Sequence, residues 1–224
     1  MAPGARASQH AAAMQVSDNV VHKRVNDDDD AFMRVSGKRF SLRGATWALA
    51  GANCHYLQSW ASDDGCRAAV DAVLDATRAL GLNTLRCWAF NDGNGWGAIQ
   101  TAPGVFCERG LSGLDYLIEG AAARGLRLVL SLLNYWPEYG GVDQYLNWAQ
   151  FPCACVDADA RRAAFYGSAE CRAWYLRMAR TLTRRVNART GVRYADEPTI
   201  LAWELVNEAR DALLSVRCTL LLGC

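Results

Sequence analysis

A chain of 224 residues, 51% of them hydrophobic and 21% charged, has the apolar material for one sizeable core. Its 24 basic and 23 acidic side chains leave a net charge of +1 without a long basic cluster, which speaks against nucleic acid or an anionic membrane surface as partner. No apolar run reaches the about 20 residues of a membrane span.

In residues 1–30, Gln15, Ser17 and Asp18 interrupt the one candidate apolar stretch, and the segment ends in four consecutive aspartates. It reads as a disordered tail with no recognisable signal peptide. From Phe32 the pattern changes. "AFMRVSGKRFSLRG" predicts a β-hairpin turning at Gly37. "ATWALAGANCHYL" follows as a first strand with Asn53 at its end. "CRAAVDAVLDATRALG" spaces Val70, Val73, Leu74, Thr77 and Leu80 as a helical face, with Gly81 as cap. "NTLRCWAF" (83–90) is a second strand.

The order then repeats. Leu111, Leu114, Leu117, Ile118 and Ala121 form a helical face capped by Gly125, and "LRLVLSLLNYW" (126–136) reads as a strand buried on both sides. A third helix places Trp174, Met178, Leu182 and Val186 on its stripe with Gly191 beyond it, before the buried strand "PTILAWELVNE". Helix, glycine, short loop and strand in succession mean parallel βαβ units.

An open doubly wound sheet would announce a phosphate loop. "GNGWG" (93–97) fits none and reads as a surface loop, so a nucleotide-dependent enzyme is disfavoured. A TIM-type (β/α)8 barrel instead gathers polar and aromatic residues at strand C-termini. Asn53, Trp88 with Asp92, Asn134 with Trp136, and Asn207 with Glu208 end four successive strands. The nine cysteines are irregularly spaced, and "CAC" at 153–155 has no second pair or histidine near it, so scattered thiols are expected and no metal.

Strand alternation puts Glu204, Val206 and Glu208 on one face and Asn207 on the other. Glu204, inside an apolar run, needs a partner such as Arg86. Glu208 is expected half-desolvated at the barrel mouth, where a carboxylate can hold a proton near neutral pH. Trp88, Trp96, Tyr135, Trp136 and Tyr139 crowd the loops after the second and third strands. Rings beside carboxylates and amides suit a sugar.

The segments "RCWAFNDG…GAIQTAPGVF" (86–106), "LVLSLLNYWPEYGGVDQYLNWA" (128–149) and "GVRYADEPTILAWELVNEAR" (191–210) resemble the plant endo-β-1,4-mannanases of glycoside hydrolase family 5. The resemblance runs from about Phe32 to Arg210. It implies a (β/α)8 barrel of which only the first half, about four βα units behind a short N-terminal β-hairpin, is present. The implied reaction is retaining hydrolysis of internal β-1,4 bonds of mannan, glucomannan or galactomannan, without metal or organic cofactor. By position, Glu208 is implied as general acid/base and Asn207 as a ligand of the sugar 2-hydroxyl. Trp88 is implied as a substrate-binding ring, and Arg86 as the arginine that keeps the nucleophile ionised. Asn134 and Trp136 are implied to line the cleft. The family is secreted, which implies an extracellular or cell-wall location.

The chain departs from the family at "NEAR", where Ala209 replaces a proline, and in the cysteine-bearing insertion 151–170. The expected organisation is a tail (1–30), an N-terminal half-barrel (31–210) and a divergent tail (211–224). The seventh-strand nucleophile is absent from it, and Asp92 and Glu138 read as solvated loop residues rather than replacements. Little or no hydrolysis is therefore expected of the chain alone. A catalytically dead carbohydrate-binding remnant, a nonfunctional product and a related β-1,4-glucanase are the alternatives.

Overall fold

The structure, a computed structural model, describes residues 31–152 and 158–210. The expectations for residues 1–30, for "CAC" and for residues 211–224 lie outside the described residues. Strands β1 (Arg34–Ser36) and β2 (Arg39–Leu42) form the expected antiparallel hairpin, with Gly37 at φ +60° in the turn. The next segment is not one strand. Its first part, β3 (Ala45–Trp47), pairs back onto β2 and sets Trp47 edge-on to Phe40. Only β4 (Gly51–Asn53) enters the main sheet.

That sheet has four parallel strands in sequence order: β4, β5 (Thr84–Trp88), β8 (Arg127–Ser131) and β9 (Ile200–Glu204). A small antiparallel pair, β6 (Gln100–Ala102) with β7 (Val105–Phe106), precedes the crossover from β5 to β8. Helices α1 (Leu57–Ala61) and α2 (Arg67–Ala79) connect β4 to β5, and α3 (Glu108–Ala123) leads into β8. Helices α4 (Gly141–Trp148), α5 (Ala158–Gly167) and α6 (Ala169–Arg184) precede β9; of these only α6 is anticipated by the sequence pattern.

The sheet buries one face. Leu85, Cys87, Leu128, Leu130 and Ile200 join Val70, Leu74, Leu114, Leu117, Ile118, Met178 and Leu182 in one core. On the opposite face Val129 is only half-buried and Ala202 is exposed, so the third and fourth strands are not buried on both sides. The sheet is open among the described residues, with β4 and β9 as its edges. Two helix faces are also shorter than their sequence stripes. Leu80 is the C-cap of α2, just before Gly81 turns the chain at φ +75°, and is 76% exposed. Helix α6 stops at Arg184, leaving Val186 exposed in an antiparallel bridge with Arg193. Helix α3 lies so close to α1 that a Cβ on Gly113 would sit 2.6 Å from the Gln58 carbonyl oxygen, which is why glycine stands in the middle of that helix.

Two buried carboxyl groups order the connections. Asp115 on α3 is fully buried and accepts from Arg185 Nε (2.9 Å), Arg185 Nη2 (2.5 Å) and the Tyr194 hydroxyl (2.5 Å). Its backbone carbonyl takes Asn187 Nδ2 at 3.1 Å. The chain entering β9 is thereby fixed to α3. A fully partnered buried charge is tolerated, whereas removal of one partner is costly.

Asp92 follows β5, and the solvated loop position expected for it is incorrect: it is 4% exposed, because the loops after β5 and β8 close over it. Its Oδ1 accepts from Gln100 Nε2 (3.3 Å), which also donates to the Tyr145 hydroxyl (3.0 Å), while Oδ2 is buried without a partner. Its backbone N–H donates to the Tyr139 carbonyl (2.9 Å), joining the two loops. Burial pushes the Asp92 carboxyl well above the usual carboxylate range. An ionised oxygen with no donor in that place would be expensive, so the neutral acid is the form that fits.

Asp115→Ala strips Arg185 and Tyr194 of their shared acceptor and should lower the unfolding free energy by about 3 kcal/mol in urea titrations; a loss below about 1 kcal/mol would contradict the role given to this network. For Asp92 the sign is opposite. The folded state keeps a proton that the unfolded chain releases above a pKa of about 3.9, so stability falls as pH climbs from there toward the raised folded value. Asp92→Asn mimics the neutral acid and removes that loss. The variant should be more stable than the parent at about pH 7 and equal to it at about pH 3.5; a variant less stable at pH 7 would show that the native group is ionised.

Candidate active site

Register partners on parallel strands point their side chains to the same face. Trp88, Ser131 and Glu204 are partners on β5, β8 and β9, so they form one row on the sheet face turned away from the helices. Arg86 projects from the same face two residues earlier on β5. The row lies at the C-terminal ends of the strands, where the following loops bring the other candidate residues.

Arg86 is the centre of the polar half of this surface. Its Nε donates to Glu204 Oε2 at 3.0 Å, its Nη2 lies 2.6 Å from the same oxygen, and Nη2 also reaches Asn207 Oδ1 at 2.5 Å. The Ser131 hydroxyl donates to Glu204 Oε2 as well. The Arg86–Glu204 pair that the apolar surroundings of Glu204 require is therefore present. The planar fork of arginine suits one acceptor on β9 and one just after it, which a lysine could not bridge in the same way.

Asn207 lies on the Arg86 side, contrary to simple alternation. Strand β9 ends at Glu204, and a bend at Leu205–Val206 turns the chain before Asn207 re-enters a parallel bridge with Asn134. Asn207 Nδ2 donates to Asn134 Oδ1 (2.8 Å), and Asn134 Nδ2 donates to the Glu138 carbonyl (3.1 Å). Both asparagines are buried, and each amide retains bonding capacity beyond these contacts.

Glu208 is solvent-exposed rather than half-desolvated, because the inner sheet face beside it is open. Its backbone is left-handed at φ +53°, uncommon for a residue with a side chain, and Ala209 follows without the fixed φ of a proline. The carboxylate is nevertheless held: Trp136 Nε1 donates to Glu208 Oε2 at 2.7 Å. The Trp136 ring is in turn covered by guanidinium groups, Arg210 at 4.5 Å and Arg162 at 5.4 Å from its centre. Arg162 is anchored by Asp143 on α4, so the insertion after residue 150 buttresses the tryptophan that holds Glu208.

Trp88 meets Phe90 in a stacked contact (4.9 Å), Tyr139 edge-on (5.1 Å) and His55 at 4.7 Å. His55 was not singled out by the sequence pattern. The signal that could have found it is its position two residues after Asn53, in the turn that follows the strand end. Ser131 was missed for a similar reason, since nothing local distinguishes it within "VLSLL". Trp96 stands apart, half exposed beside Thr101 and Arg109. Among the described residues no group of three or more His, Cys, Asp or Glu side chains could hold a metal ion, and the five described cysteines are free thiols.

Residues 30–218 match a family model described as GH family 5 beta-mannosidase-like. The chain is 40% identical over 181 residues to putative mannan endo-1,4-beta-mannosidase 5 of Oryza sativa subsp. japonica, covering 80% of this chain and 36% of that protein. It is 38% identical over 186 residues to mannan endo-1,4-beta-mannosidase 5 of Solanum lycopersicum, covering 83% and 44%. Among solved structures, the endo-1,4-beta-mannanase from Rhizomucor miehei superposes with a TM-score of 0.69 at 30% identity, over 80% of this chain and 49% of that one. A glycoside hydrolase family 5 mannosidase from the same organism reaches 0.74 at 24% identity, which bears on the fold alone. The chain thus spans half or less of the length of the relatives it matches. The four-stranded sheet with its helices is the partial α/β barrel expected from the strand-end pattern, and the chain belongs to the β-mannosidase-like group of glycoside hydrolase family 5.

Proposed function

We propose that residues 31–210 form the acid/base half of an endo-acting β-1,4-mannanase, working on β-mannan of the cell wall. The carrying observation is the hydrogen bond from Trp136 Nε1 to Glu208 Oε2 beside the Arg86–Asn207–Asn134 amide network. Glu208 would donate its proton to the leaving glycosidic oxygen, and the indole N–H would hold the carboxylate at that oxygen and stabilise the charge left on it. Asn207, already oriented by Arg86 and Asn134, would contact the sugar 2-hydroxyl as charge builds at the anomeric carbon.

Retention requires a second carboxylate about 5–5.5 Å from the first. Glu204 is engaged by Arg86 and Ser131, and Asp92 is sealed beneath the loops, so neither is placed to attack. Residues 31–210 by themselves are therefore expected to bind β-mannan without turnover. The plant relatives named mannan endo-1,4-beta-mannosidase support the substrate class.

Calorimetry with β-1,4-mannohexaose and reducing-end release from galactomannan test this together. The folded chain should bind the hexaose and release no reducing ends above a blank. Glu208→Gln should leave the affinity within a factor of about three, whereas Asn207→Ala should weaken it about tenfold, equivalent to about 1.4 kcal/mol. Release of reducing ends that disappears in Glu208→Gln would reveal a nucleophile within this chain. Absence of binding by folded protein would overturn the mannan assignment.

A further inference from the structure

We propose that His55 is a sugar-contacting residue of this cleft and that Trp88 is the pillar supporting it. This rests on the β-mannan reading above. The Cys54 N–H donates to the Arg86 carbonyl at 2.9 Å, the bond that closes the Asn53–Arg86 pair at the end of β4. His55 lies in the turn after β4, where its ring reaches Trp88 at 4.7 Å and adds to the β4 end of the row formed by Trp88, Ser131 and Glu204. Tyr56 and Tyr139 approach the imidazole edge-on, with ring centres at 5.4 and 5.9 Å and interplanar angles of 87°.

The exposure of the two rings decides between them. Trp88 is half-buried among Phe90, His55 and Tyr139, and its Nε1 is buried without an acceptor, so it offers no free donor to a hydroxyl. His55 is exposed. A sugar needs an apolar surface for its C–H face and polar partners for its hydroxyls, and an imidazole held over aromatic rings supplies both from one side chain. Three interstrand steps separate His55 from the β9 end that carries Glu208, roughly 14 Å along the sheet. His55 would thus grip a sugar remote from the acid/base and act on affinity rather than on bond cleavage.

The full chain has three histidines, so the imidazole Cε1–H signals can be followed individually by NMR, with His55→Asn used to assign them. Titration with β-1,4-mannohexaose should move the His55 signal with the same saturation curve as the calorimetric isotherm, and leave the signals of His10 and His22 in place. His55→Ala should weaken binding about tenfold, and His55→Tyr, which restores a ring with a polar edge, should recover most of it. Hexaose binding with an unmoved His55 signal and unchanged affinity in His55→Ala would overturn this inference alone. No heat of binding and no shift of any signal would overturn the mannan reading, and this inference with it.

Discussion

One guanidinium holds the polar half of the cleft together. Arg86 leaves β5, passes over β8 and bridges two acceptors on and after β9, Glu204 and Asn207. The placement of each neighbour follows from it. Glu204 would be an uncompensated charge among apolar strand residues without Arg86 and the Ser131 hydroxyl. Asn207 could rotate its amide freely without Arg86 on one side and Asn134 on the other. The fixed fork geometry of arginine is what turns three separate strands into one surface.

The sheet beneath makes that bridge possible. Parallel register forces partner residues to one face, so a polar or aromatic residue at each strand end becomes a row. The opposite face pays out its apolar side chains to the helices and anchors the strands in a single core. Around this frame the loops are tied by side chains rather than by more strands. Asp115 fixes the approach to β9, Asp92 joins the loops after β5 and β8, and Arg162 reaches from α5 to brace Trp136. The aromatic and carboxylate halves of the surface therefore stand on different supports: rings stacked on rings on the β4–β5 side, and an indole hydrogen bond on the β9 side.

Much of this was legible from local pattern. Apolar spacing located α2, α3 and α6, glycines marked the ends of α2 and α3, and the isolation of Glu204 in an apolar run pointed to Arg86 as its partner. The misreadings have different causes. Residues 45–47 look like the start of the next strand until β2 is there to pair with them. Asn207 changes sides because of the bend at Leu205–Val206, which carries no glycine or proline to announce it. Asp92 looks like an ordinary loop acid, and only the closing of two loops makes it a buried one. Leu80 and Val186 fit a helical stripe but fall where the helix has already ended. Helices α4 and α5 are short, and their few apolar residues pack in a second small core rather than forming a long stripe.

The most direct measurement is the affinity of Arg86→Lys for β-1,4-mannohexaose beside that of the parent chain, with the fold of both checked by circular dichroism. Lysine keeps the charge that Glu204 needs but cannot span Glu204 and Asn207 together. If the bridge organises the sugar surface, the folded variant binds at least about tenfold more weakly. Equal affinity in the two folded proteins would contradict the central place given to Arg86.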